Sequence, residues 1–162
     1  MTLIEKITKQ CKEKPCQPAI EWIEENNFQT FQEVWVNCKI SGWALWWLEK
    51  LGYNDQKVLR LMAVSFAREV QHLMKDQRSI DALNVAERYA NGEATEEEFQ
   101  AARNAARYAS WGAARYASWG AARNDAWDAA RYAARYASWA GQCGIIRRFI
   151  PNIDEVIQKL EA

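Results

Sequence analysis

Histidine is nearly absent from this chain: His72 is the single one among 162 residues. No Ser or Cys nucleophile pattern accompanies it in REVQHLM, so His72 reads as a structural or exposed residue. Four cysteines (Cys11, Cys16, Cys38 and Cys143) are present without a C-x-x-C pair. A zinc site needs tighter pairs and more imidazoles, which leaves free thiols in a cytoplasmic protein as the expectation. No apolar run approaches the ~20 residues that span a bilayer, and MTLIEKITKQCKEK lacks the apolar centre of a secretion signal. Gly-rich phosphate loops, G-x-S-x-G and H-E-x-x-H are missing as well. The expectation is a non-enzymatic protein without cofactor, metal or membrane partner.

Strands are missing from the pattern too. No stretch alternates with period two over a useful length, WVNCKI being the nearest candidate. The sequence punctuates instead as an all-α protein of seven or eight helices. TLIEKITKQCK carries Leu3, Ile4 and Ile7 at helical spacing, and KPCQP breaks it before AIEWIEEN. Thr30 and Glu33 form a T-x-x-E capping box. Ser41 is expected to cap WALWWLEKL and Gly52 to end it. Within that helix Trp43, Trp46 and Trp47 share the core-facing spacing, and because three indoles are hard to bury together, one is expected to rim a pocket. Asn54 or Asp55 begins the next helix, whose Leu59, Met62, Phe66, Val70 and Leu73 step by three or four along one face.

Lys75 to Arg78 form a polar turn, and Ser79 with Asp81 is expected to open the following helix, which stops at Asn91-Gly92. The charges around that turn, Asp76, Arg78, Asp81, Glu87 and Arg88, suggest a local salt-bridge network. Thr95 and Glu98 make a second capping box, with the acidic run EATEEEF matched to a helix N-terminus. Pro151 and Asp154 introduce IDEVIQKL. No composition shift marks a domain boundary, so a single helical domain over 1–162 is expected: amphipathic helices in 1–94, an alanine-rich repeat in 95–142 and a C-terminal helix in 151–161.

Lysine is missing from residues 101–148, where eight Arg face only Asp125 and Asp128, a local net of +6 in a chain whose 21 basic and 21 acidic residues balance. That segment contains AARYASWG twice in succession, at 105–120. On a period of four, one column reads Arg103, Arg107, Trp111, Arg115, Trp119, Arg123, Trp127, Arg131, Arg135 and Trp139, nothing but Arg and Trp. The next holds Tyr108, Tyr116, Tyr132 and Tyr136 among Asn, Gly and Asp, and the last two are nearly all Ala. Each step of four overshoots a helical turn by about 40°, so over one continuous rod the Arg/Trp column would spiral around the axis. Such a rod from 103 to 139 would also run about 55 Å, longer than the roughly 40 Å expected across a compact chain of this size. The repeat is therefore expected to be broken into two or more helices, near Gly120 to Asp125.

Alanine is the best helix former, and a ridge of small residues lets helix axes approach closely. The repeat is thus first a packing device. Its second column of meaning is Arg with aromatic rings: Arg103, Arg107, Tyr108, Trp111, Arg115, Tyr116, Trp119, Arg123, Trp127, Arg131, Tyr132 and Arg135 are the candidate partner-binding residues. Arg, Tyr and Trp dominate protein–protein hot spots. Arg beside stacking rings also suits a nucleotide or single-stranded nucleic acid, against which stands the overall neutrality of the chain. A solvated, internally stacked surface and self-association through Ala-lined helices fit the same pattern.

The stretch AREVQHLMKDQRSIDALNVAERYANGEATEEEFQAARNAARYAS (67–110) has a distinctive order of parts: a helix ending near His-Leu-Met, then D-x-R-S, A-L-x-x-A-E-R-Y-A-N-G, T-x-E-E and a run of A-A-R repeats. In this it resembles the immunity proteins of bacterial polymorphic-toxin systems, and related helical proteins of phage and metagenomic origin. The resemblance covers roughly the last two-thirds of the chain. It implies a small helical protein that binds and neutralises a macromolecule: a toxin or, in a phage setting, a component of a bacterial defence system, as an anti-CRISPR does. Asp76, Arg78, Ser79, Glu87 and Gly92 match the pattern, and capping and turn geometry account for the same residues. The chain departs from it in carrying Tyr and Trp where the repeats commonly hold Asp and Ala.

Overall fold

The computed structural model describes residues 1–107, 121–123, 127–129 and 139–162. Among them the chain is all-helical, without a strand. The elements are α1 (Leu3–Cys11), α2 (Gln17–Glu25), α3 (Phe31–Asn37), α4 (Ser41–Leu51), α5 (Gln56–Glu69), a 3-10 turn (Gln71–Leu73), α6 (Gln77–Ala90), α7 (Glu96–Arg107), α8 (Trp139–Phe149) and α9 (Ile153–Glu161). Two compact units are formed, one from residues 1–54 with 146–162 and one from 55–145. No helix among the described residues is long and apolar enough to cross a membrane.

In the first unit α1 packs on α4 and α9 on α3. Thr2 with Glu5, and Thr30 with Glu33, close reciprocal capping boxes on α1 and α3, each satisfying two otherwise orphaned N–H groups. Gly52, at φ +87°, ends α4 in the left-handed conformation that only glycine adopts without strain. The core centres on Ile7, Ile23, Val34, Trp35, Trp47 and Leu48, all essentially inaccessible, and the edge of Phe31 meets Trp47 at 5.7 Å between centroids.

The C-terminal segment is tied to α3 by side chains bonding to backbone. Trp35 Nε1 donates to the Ile150 carbonyl at 2.8 Å. Gln32 donates to the Pro151 carbonyl at 3.1 Å and accepts from the Ile153 amide at 2.8 Å. Arg147 donates to the Cys38 carbonyl at 2.8 Å, just past the C-terminus of α3, where cationic donors are favoured.

In the second unit α6 packs against both α5 and α7. Asp55 caps α5 by accepting from the Val58 amide at 2.9 Å. Thr95 and Glu98 close the box on α7. The turn Asn91-Gly92 ends α6, with Gly92 at φ +76°.

Three expectations are corrected. Ser41 does not cap α4: it is the first helical residue, and Ile40 holds the cap position without a side-chain bond. Ser79 does not open α6 either. Asp76 does, accepting from the Arg78 amide at 3.0 Å, while Ser79 is buried inside the helix. Leu73 leaves the apolar face, because α5 ends at Glu69 and the 3-10 turn holds Leu73 56% exposed. WVNCKI is the last turn of α3 followed by an extended joint. Around the α6 turn, Arg78 pairs with Asp76, Glu87 with Arg68 and Arg88 with Glu98, and Asp81 accepts from Gln77. Of these ion pairs only Arg78 with Asp76 joins two residues of the expected local set; Glu87 and Arg88 turn instead to Arg68 on α5 and Glu98 on α7, out of reach of a reading confined to local spacing.

All four cysteines are free thiols, with Cys16 exposed and Cys11, Cys38 and Cys143 buried. Burial pushes the Cys11 thiol up to about 12, which leaves almost no thiolate at pH 8. A disulfide-exchange reagent at pH 8 is expected to titrate one thiol per native chain rapidly, and Cys16→Ser should abolish that phase. Two or more rapid equivalents would contradict the burial pattern.

Candidate functional site

The repeat enters the second unit at α7 and is described again at 121–123 and 127–129. Ala121 is helical, Ala122 lies in a turn, Arg123 is non-helical, and 127–129 are helical again. The helix is thus interrupted inside the interval where the Ala columns of the sequence are interrupted. Ala106, Ala121, Ala122 and Ala129 are wholly buried, whereas Arg103, Arg123 and Trp127 are half-buried. Ala101, at the beginning of the repeat, is exposed, and Ala102 and Ala105 are half-buried.

The interruption is held from a helix outside the repeat. Arg60, on the inner face of α5, is only 5% exposed. Its guanidinium lies 4.7 Å from the centroid of the Phe99 ring and 5.5 Å from that of Tyr89, and these two rings stack at 4.5 Å. From there Arg60 Nη1 donates to the Arg123 carbonyl at 2.6 Å. A carbonyl just past a helix end has lost its intrahelical donor, and a buried cation there matches the negative end of the helix dipole. The Arg123 side chain reaches across the break to Asp128, 2.9 Å away. The backbone and the side chain of one candidate contact residue are therefore both fixed.

Tyr89 and Glu96 complete the cluster. The Tyr89 hydroxyl donates to Glu96 at 2.5 Å, and Gln100 donates to the other carboxylate oxygen at 2.6 Å. The Gln100 bond, then the Tyr89 bond, hold the Glu96 carboxyl below the usual carboxylate range. The Thr95 amide does the same to Glu98. Folded-state values lying below the unfolded ones contribute stability that is present above the unfolded pKa, near 4.3, and lost as pH falls through the folded values. The urea midpoint of this unit is accordingly expected to be flat from pH 7 to about 5 and to fall below about 4.5. Replacing Glu96 and Glu98 together by Gln, which still accepts from N–H groups, should shallow that acid limb. An unchanged limb would contradict the assignment.

Of the other candidates, Arg103 donates to Gln100 at 3.3 Å while its Nε is buried without a hydrogen-bond partner among the described residues. Arg107 is the last residue of α7, and nothing further of it is described. Tyr108, Trp111, Arg115, Tyr116, Trp119, Arg131, Tyr132 and Arg135 lie outside the described residues. Arg60 is the residue of this cluster that sequence reasoning missed. Its trace is an Arg on the face that also carries Ala63, Val64 and Ala67, small side chains three, four and seven residues on that leave room for a guanidinium. Among the described residues no group of three His, Cys, Asp or Glu is placed to hold a metal ion. No protein-family model, curated protein or solved structure matches the chain.

Proposed function

We propose that the chain is a non-enzymatic binding protein that masks a macromolecular partner through the Arg/Tyr/Trp column of its repeat. The partner class is a bacterial protein, either a toxin or a component of a defence system, in keeping with the resemblance of residues 67–110 to immunity proteins. One observation carries the reading. Around the interruption, Ala121, Ala122 and Ala129 are wholly buried while Arg123 and Trp127 remain half-exposed; in α7 the contrast is weaker, with Ala106 buried but Ala102 and Ala105 half-buried like Arg103. Side chains used only to fill a core would have the opposite distribution. Half-exposed Arg and Trp held by neighbours lose little conformational freedom on docking, which is what makes them effective anchors.

The test is capture from bacterial lysate by the native chain and by a variant with Arg107, Arg115, Arg131 and Arg135 changed to Ala. Stoichiometric capture of one protein, lost in the variant while its helical circular dichroism persists, is the expected result. Recovery of no stoichiometric protein sinks the proposal. Nucleotide binding that weakens steeply with salt would transfer the column to the phosphate-binding alternative.

A further inference from the structure

Within the first unit, a groove of about 650 Å³ is lined by α1 on one side and α9 on the other. Its base is apolar: Phe31 and Ile157 are buried there, while Leu160 stands 46% exposed. Its two sides carry opposite charge. The α1 side presents Lys6, Lys9 and, at the C-cap, Lys12, stepping by three along one stripe of the helix. The α9 side presents Asp154 and Glu161, two turns apart. Charges of the other sign on these helices are kept off the groove. Glu5 accepts from the Thr2 amide at 2.7 Å in the α1 capping box, and Lys159 lies outside the lining. All five groove charges are exposed, and none makes an ion pair or side-chain hydrogen bond among the described residues. The two rails are complementary, yet they do not meet within one chain.

We propose that this groove is the contact face of a homodimer, covered by the same groove of a second copy. Two identical faces pack through a two-fold axis lying in their interface. An axis along the groove lays α1 of each copy over α9 of the other, with lysines on carboxylates at both seams. An axis across the groove would lay lysine on lysine. A partner of single charge sign is opposed by one of the two rails, whereas a second copy satisfies both. Charge thus selects the orientation, and burial of Leu160 over the apolar base supplies the attraction, since exposed ion pairs alone contribute little. Each helix has nine residues and is about 14 Å long. The face is therefore at the small end of specific interfaces, and a weak dimer is expected, with a Kd of about 10–500 µM. The contact lies in the first unit, apart from the repeat, and does not depend on the function proposed for it.

Sedimentation equilibrium of the full chain up to about 1 mM tests this. The mass is expected to rise with concentration from one chain toward two. Lys6→Glu with Lys9→Glu turns the α1 side net acidic, and Asp154→Lys with Glu161→Lys turns the α9 side basic. Each pair of changes should weaken self-association at least about tenfold, with helical circular dichroism retained. The chain carrying all four changes has its rails exchanged and should recover the native dimer to within about threefold. Leu160→Gln alters an exposed position and leaves the core intact, and it should weaken the dimer about five- to tenfold. A single-chain mass at every concentration, self-association unchanged by either pair of changes, or a four-change chain as weak as its parents would overturn the proposal.

Discussion

Arg60→Ala is expected to destabilise the second unit by about 3 kcal/mol, although Arg60 belongs to no motif in the sequence. Three effects are lost together. The charge-assisted bond to the Arg123 carbonyl is worth about 1.5–3 kcal/mol. The contacts over Phe99 and Tyr89 contribute up to about 2 kcal/mol in a desolvated setting, and truncation also leaves a cavity. Opposing them is the desolvation cost of keeping a guanidinium buried, which disappears with the charge, so the losses do not simply add. Arg60→Met separates the terms: it retains the packing of the stem but leaves the carbonyl of Arg123 without this donor, and about 1–2 kcal/mol should be lost. For a chain of this size, 3 kcal/mol corresponds to a fall in Tm of roughly 6–12 °C. Because the chain has two compact units, hydrogen exchange of α5, α6 and α7 should be read beside the global transition. Faster exchange should appear in these helices. A variant within 0.5 kcal/mol of the native chain would remove Arg60 from the account.

The second large effect belongs to Trp35. Trp35→Ala removes a side chain that is 1% exposed and should destabilise the first unit by about 3–5 kcal/mol. Trp35→Phe is the more informative change. It keeps most of the ring but deletes the bond to the Ile150 carbonyl, a buried acceptor whose loss costs about 1–3 kcal/mol. Gln32 and Arg147 still hold the same segment, so the variant should fold while the link between α8 and α9 opens more often. Limited proteolysis is expected to cut near residues 149–152 sooner in Trp35→Phe than in the native chain. Equal cleavage rates and equal stability would mean that the indole bond does not hold the C-terminal segment.

These two residues mark where sequence reading stops. Helix ends were legible wherever the signal is carried by neighbours in sequence: Thr30 with Glu33, Thr95 with Glu98, Gly52, and Asn91-Gly92. The interruption of the repeat was legible as well, because length and periodicity both opposed one continuous rod. Ser41 and Ser79 failed because a hydroxyl near a helix start has competing uses. Asp76 stood three residues before Ser79 and offered the better acceptor for the first turn. Leu73 continued the apolar spacing of α5 on paper, but the helix had already ended at Glu69 and turned it outward.

Arg60 and Trp35 act through backbone atoms 63 and 115 positions away, a distance over which spacing carries no information. A cavity against α4 was partly legible. Three indoles in five residues are too many to bury together, and Trp47 is fully buried while Trp43 and Trp46 remain half-exposed at the same cavity.

The central proposal is that the contrast described around the interruption, with Ala121, Ala122 and Ala129 buried and Arg123 and Trp127 half-exposed, marks the alanine columns as the packing side and the Arg/Trp column as the side open to a partner. Urea denaturation of two variants tests it directly: Ala122→Leu, and the chain with Arg107, Arg115, Arg131 and Arg135 changed to Ala. Overfilling the alanine side should cost about 1–3 kcal/mol, while removing the four guanidinium groups should change stability by less than about 1 kcal/mol. A stable Ala122→Leu beside a collapsed quadruple variant would reverse inside and outside and leave the column no role in docking.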